Sequence, residues 1–168
     1  MAWIKRGVGL LCIVLLPGCA AMTQVVQFFS GAQPAYVQEA GRAEDCGVQR
    51  PETTVLVLAS ADEVRKWQVS RGIALADDDA LKPGPYALVE LGSRPSGGYG
   101  LVISRDADVR KEVLVLKGTF FAPDAGQPAA QGASSPCVLV SLPSQPPYRG
   151  VSVVDQLGHL RATTLTGG

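Results

Sequence analysis

Hydrophobic positions fall first into one unbroken block at the amino end and then into short runs spaced along the rest of the chain. The block, Gly7 to Leu16, follows Lys5 and Arg6 and stops at Pro17-Gly18. It is shorter than the ~20 apolar residues a membrane-spanning helix needs. Its basic lead and abrupt end predict a signal peptide over residues 1–18. From Ala20 to Glu44 the chain mixes Gln, Ala, Ser and Gly with isolated apolar residues. This predicts a flexible tether over residues 19–45 with at most one helical turn. The alternative is that Phe28 and Phe29 dock on the domain or on its partner.

The remaining pattern predicts strands around one helix. Thr53 to Ala59 is a β-branched apolar run bounded by Pro51 and Ser60, which suits a buried strand. Ser60 stands three residues before Glu63, the spacing of a capping box. A helix is therefore predicted from Ala61, with Val64 and Trp67 on one face and Gly72 as its end. Strands follow at Tyr86–Leu91, Tyr99–Arg105, Glu112–Phe121, Cys137–Leu142, Val151–Gln156 and His159–Thr164, the last two joined by a turn at Gly158. The absence of further helical patterns predicts a mainly β domain over residues 46–165. Its expected form is an antiparallel sandwich or partly open barrel of six or seven strands with one short N-terminal helix. Pro123 to Pro136 reads as one long exposed crossing.

Composition narrows the function classes. The chain has 168 residues, 46% hydrophobic and 18% charged, with 15 basic against 15 acidic side chains. Enough apolar material is present for a core, and no run of Lys or Arg marks a nucleic-acid partner. One histidine and four cysteines, with no Cys-x-x-Cys and no His-x-x-x-His, give no basis for a metal or other cofactor. Asp77-Asp78-Asp79 lacks the alternating spacing of a calcium loop and reads as a solvated turn. No Gly-x-Ser-x-Gly elbow precedes a helix, and the single His159 lies in a terminal hairpin, so no catalytic residue is expected.

The cysteines carry the next expectations. Leu16-Pro17-Gly18-Cys19 resembles a bacterial lipobox, which implies a diacylated Cys19 at the new amino terminus. An ordinary secreted protein is the alternative. Ala20 after that cysteine implies outer-membrane sorting and a domain facing the periplasm. Cys12 leaves with the signal and Cys19 is capped, so Cys46 and Cys137 are the thiols left in an oxidising compartment. A disulfide between them is expected, against two buried free cysteines.

One segment carries a family resemblance. Glu90-Leu91-Gly92-Ser93-Arg94-Pro95-Ser96-Gly97-Gly98-Tyr99-Gly100-Leu101-Val102-Ile103 resembles the hallmark of the PrcB family, the C-terminal domain of an accessory subunit of a bacterial surface protease complex. The upstream capped helix, Phe120-Phe121-Ala122-Pro123 and the final hairpin follow the family's order of elements. Ser134-Ser135-Pro136-Cys137 departs from it where a Thr-x-Pro-Tyr type segment is usual. The resemblance implies a non-catalytic protein partner of a protease or another envelope assembly. Pro95-x-x-Gly98-Tyr99 is also similar to one loop of chagasin-type cysteine peptidase inhibitors, with Arg94 in place of their Asn. Arg94, Pro95, Ser96, Gly97, Gly98 and Tyr99 are therefore the expected partner-binding loop, an exposed hairpin with Arg94 projecting outward. The alternatives are a peptidase inhibitor that presents this loop, or an envelope-structural lipoprotein in which the loop is only a turn: Pro95 fixes φ, the glycines bend the chain and Tyr99 packs.

Overall fold

The computed structural model describes residues 31–124 and 131–166. The expected signal peptide and Cys19 lie outside these residues. Ten strands and one helix occur among the described residues. They are β1 Gln33–Tyr36, β2 Gln38–Ala43, β3 Thr54–Leu58, α1 Ala61–Arg71, β4 Tyr86–Glu90, β5 Gly100–Ile103, β6 Asp106–Arg110, β7 Val113–Phe121, β8 Cys137–Ser141, β9 Gly150–Val154 and β10 Leu160–Leu165.

Among the described residues the strands form two sheets and no closed barrel, the sandwich being one of the two forms that the pattern predicts. The first sheet runs β1-β6-β7-β9-β10, with β5 on the outer half of β7; the second runs β2-β8-β4-β3. All pairs are antiparallel except β7 with β9, which are parallel. That pair needs no crossover helix, because the chain passes between them through β8 in the opposite sheet.

The apolar periods explain the layering. In β7, Leu114 and Leu116 point into the main core, while Val113, Val115 and Lys117 alternate with them on the half-buried outer face. β4 and β8 are covered on both sides, so they read as continuous apolar runs. Ala87, Val89, Val138 and Val140 face the first sheet, and Tyr86, Leu88 and Leu139 face a second core beneath α1. The helix adds Val64 and Trp67 to that second core. Its start is capped as predicted: the Glu63 amide donates to Ser60 Oγ at 3.3 Å, and the Glu63 carboxylate accepts from the Ala59 amide at 2.7 Å. Gly72 ends it in the left-handed region at φ 66°.

The expected disulfide is present. Cys46 and Cys137 are bonded with Cα atoms 6.1 Å apart, across 91 residues, and both are buried in the second core. Closing a loop of that length removes roughly 4–5 kcal/mol of unfolded-chain entropy in the simplest model.

Three expectations are corrected. Residues 33–43 are not tether but two strands: β1 pairs with β6 and β2 with β8, and Ala35 and Val37 are buried in the main core. Residues 106–110 form a strand that the apolar pattern does not announce. Ala107 and Val109 face inward, and Asp108 is neutralised by Arg110 and Lys117, each at 2.9 Å. The strand count rises accordingly. Finally, the connection from β4 to β5 is not a hairpin, since β4 lies in the second sheet and β5 in the first.

Candidate protein-interaction site

Residues 91–99 carry the chain from one sheet to the other, and their backbone is held at several points. The Ser93 amide donates to the Arg50 carbonyl at 2.7 Å. Arg94 and Ser134 exchange two main-chain hydrogen bonds, at 2.7 and 3.0 Å, and Ser134 Oγ donates to the Ser96 carbonyl at 2.8 Å. The expected free crossing over residues 123–136 is thus corrected at its end: Ser134 and Ser135 are short strand-like bridges to Arg94 and Asp45.

Ser135 is the hub behind this clamp. Its buried hydroxyl accepts from the Cys46 amide at 3.0 Å and from the Val48 amide at 3.1 Å, and donates to the Asp45 carboxylate. The Ser135 hydroxyl and then the Gly47 amide hold the Asp45 carboxyl below its ordinary value, because both stabilise the charged form.

The side chains of the loop take roles different from those of an exposed hairpin. Arg94 does not simply project outward: it is half-buried, and its Nη2 donates to the Leu91 carbonyl. Pro95 and Gly98 are exposed, Ser96 Oγ donates to the Gly97 carbonyl at 3.2 Å, and Tyr99 packs half-buried on the main core. Gly98 sits at φ 84°, and a Cβ there would come within 3.1 Å of the Pro123 ring. Gly100 is opposite Phe121 in the β5–β7 register, and the Phe121 ring lies where a Cβ on Gly100 would stand. The absent side chain lets the ring fold over the strand edge.

Phe121 and Tyr99 form a wall with a recess on either side. A groove of about 410 Å³ lies between Gly97–Gly100, Pro136–Val138 and the end of β2 at Arg42–Glu44. A smaller cleft of about 250 Å³ is lined by Leu91, Arg94, Phe120 and Arg161 together with the two wall rings. The Arg161 guanidinium stacks over Phe120, 4.7 Å from the ring centroid, and lies 3.5 Å from Asp155. Beyond the last residue of β9, the Gln156 carboxamide takes the place of a strand. It accepts from the Phe120 amide at 3.1 Å and donates to the Phe120 carbonyl at 3.2 Å.

The segment that builds this loop carries a family match. Residues 86–143 match the family model described as PrcB C-terminal. The PrcB resemblance carried by Glu90–Ile103 is therefore shown for this segment, which runs from the first residue of β4 to just beyond β8. It is shorter than the β domain expected over residues 46–165. No curated protein and no solved structure matches the chain.

Within the matched segment, the six loop residues are contiguous, and their backbone is clamped at Arg94 and Ser96. Sequence reasoning missed Ser134, which bonds the loop, Ser135 behind it, and Phe120 and Arg161, which line a cleft with Arg94 and Tyr99. Ser134-Ser135 stands out in the sequence only as a departure from the family's usual residues. Nothing local signals that it pairs with a loop some 38 residues away.

Proposed function

We propose that the β-domain is a non-catalytic protein-interaction module that serves as an accessory unit of a protease or related envelope assembly. The match of residues 86–143 to the PrcB C-terminal family carries this reading. The clamped Arg94–Tyr99 loop, with a recess on either side of the Tyr99–Phe121 wall, supplies a surface suited to it. A positioned loop on a rigid sandwich is a common way to present contacts to a partner. Acylation of Cys19 would hold the domain at the outer membrane on its periplasmic side.

The test is site-specific photo-crosslinking in intact cells. A photoreactive residue at the exposed Pro95 is expected to trap a peptidase or a subunit of its complex. The same residue at Val69 of α1, which is 83% exposed, should not. Identical adducts from both sites, or none from Pro95, would refute the interaction reading. Purified domain that blocks the trapped peptidase would make the module an inhibitor. Cys19→Ser should move the protein from the detergent phase to the aqueous phase on partitioning, and retention in the detergent phase would refute the anchor.

A further inference from the structure

The 250 Å³ cleft has a chemistry that the loop's clamping does not explain. Arg94 and Arg161 both line it; among the described residues no Asp or Glu does, though Asp155 stands 3.5 Å from the Arg161 guanidinium. Arg94 is half-buried, and among the described residues its guanidinium forms no ion pair; its Nη2 bonds only the Leu91 carbonyl. A partly desolvated guanidinium satisfied by one neutral acceptor still favours an anion, because charge-assisted bonds to carboxylates are about twice as strong as neutral ones. The rest of the lining is apolar or aromatic: Leu91 at the floor, Tyr99 and Phe121 at the wall, and Phe120 stacked beneath Arg161.

We infer that this cleft binds the carboxyl terminus of a partner chain that ends in an apolar residue, with Arg94 and Arg161 taking the carboxylate and the aromatic wall taking the last side chain. Such a terminus carries its anion and its apolar group on the same Cα. That matches a recess in which two guanidinium groups adjoin three aromatic rings. An internal Asp or Glu would bring a carboxylate but nothing for the rings to cover. The inference rests on the proposed interaction function and names the partner chemistry of the same surface.

Fluorescence anisotropy on the full chain tests it, with a labelled peptide ending in Phe with a free carboxylate. Two controls share its sequence: one is amidated at the terminus, and the other is amidated but carries an internal Glu. The free acid is expected to bind saturably and the simple amide at least tenfold more weakly. Arg94→Gln should cost about tenfold or more in Kd, and raising salt should weaken binding. Arg161→Gln is expected to weaken binding as well and supplies the same test if Arg94→Gln does not fold. Equal binding of acid and amide, or no binding of the acid, would overturn the inference. Equal binding of the internal-Glu amide would overturn it in favour of a side-chain carboxylate. Crosslinking from Pro95 is scored separately: a partner trapped there while all peptides fail leaves the interaction function standing and removes only this inference.

Discussion

Replacing Ser135 by alanine removes one hydroxyl from the point where the disulfide, the loop clamp and the start of β8 meet. Three bonds are lost, and they differ in weight. The Cys46 amide keeps a second acceptor, the Ser135 carbonyl at 2.8 Å, so it stays satisfied. The Val48 amide loses its one acceptor among the described residues, in a residue only 7% exposed. A buried donor left unpaired costs about 1–3 kcal/mol. Asp45 loses its hydroxyl donor but is itself exposed, so water replaces much of that bond. The expected destabilisation is therefore about 2 kcal/mol, read from denaturant unfolding at pH 7 with the disulfide intact. The same change should alter the pH profile. The folded Asp45 carboxyl lies below its ordinary value, so its contribution is present above the unfolded carboxylate value near ~4 and is lost as pH falls through the lower folded value. Ser135→Ala should flatten this acid limb and speed amide exchange at Arg94, whose acceptor is the adjacent Ser134. A loss under about 0.5 kcal/mol with unchanged exchange at Arg94 would refute the hub role.

Two other substitutions probe the same region. Gly98→Val places a β-branched residue at φ 84° and its Cβ against Pro123, so a loss of about 1–3 kcal/mol is expected in thermal unfolding; wild-type stability would refute the strain argument. Glu90 is buried and is held by Arg50 at 2.6 Å and Thr54 at 2.8 Å. Arg50→Ala should cost about 1–3 kcal/mol, discounted from a fully buried pair because Arg50 is half exposed, and Glu90→Gln in the same chain should recover part of it; strictly additive losses would show that the pair does not interact.

What could be read from the sequence follows from where burial alone fixes structure. β3, β4, β7 and β8 are dense in Val and Leu because one or both of their faces are covered, and α1 carries its own start and stop at Ser60 and Gly72. β1, β2 and β6 show little of this. Gln38–Ala43 has no large apolar residue: only Ala40 and Ala43 pack on the second core, and the Leu75 carbonyl occupies the place of a Cβ on Gly41. Asp106–Arg110 hides a two-residue alternation, Ala107 and Val109, among charges whose partners sit on β7 and β6 themselves. The loop motif marked a segment whose backbone the structure clamps between the two sheets. Its form was misread because a Gly-rich stretch between two apolar runs is the same string whether the runs pair with each other or belong to different layers. Only the register of β4 with β8 and β5 with β7 separates the two cases.

The Gln156 carboxamide at the end of β7 bears on how that stretch of sheet edge is closed to other chains. β7 outlasts β9, its parallel neighbour, and would otherwise offer the Phe120 amide and carbonyl as a bare template beside an exposed aromatic. Unpaired strand edges of this kind recruit other chains, and proteins commonly blunt them. Here one side chain from the β9–β10 turn stoppers the edge with a peptide-like group that cannot be extended. The apolar ring beside it can thus remain exposed without an open main-chain edge next to it for a second strand to zip on.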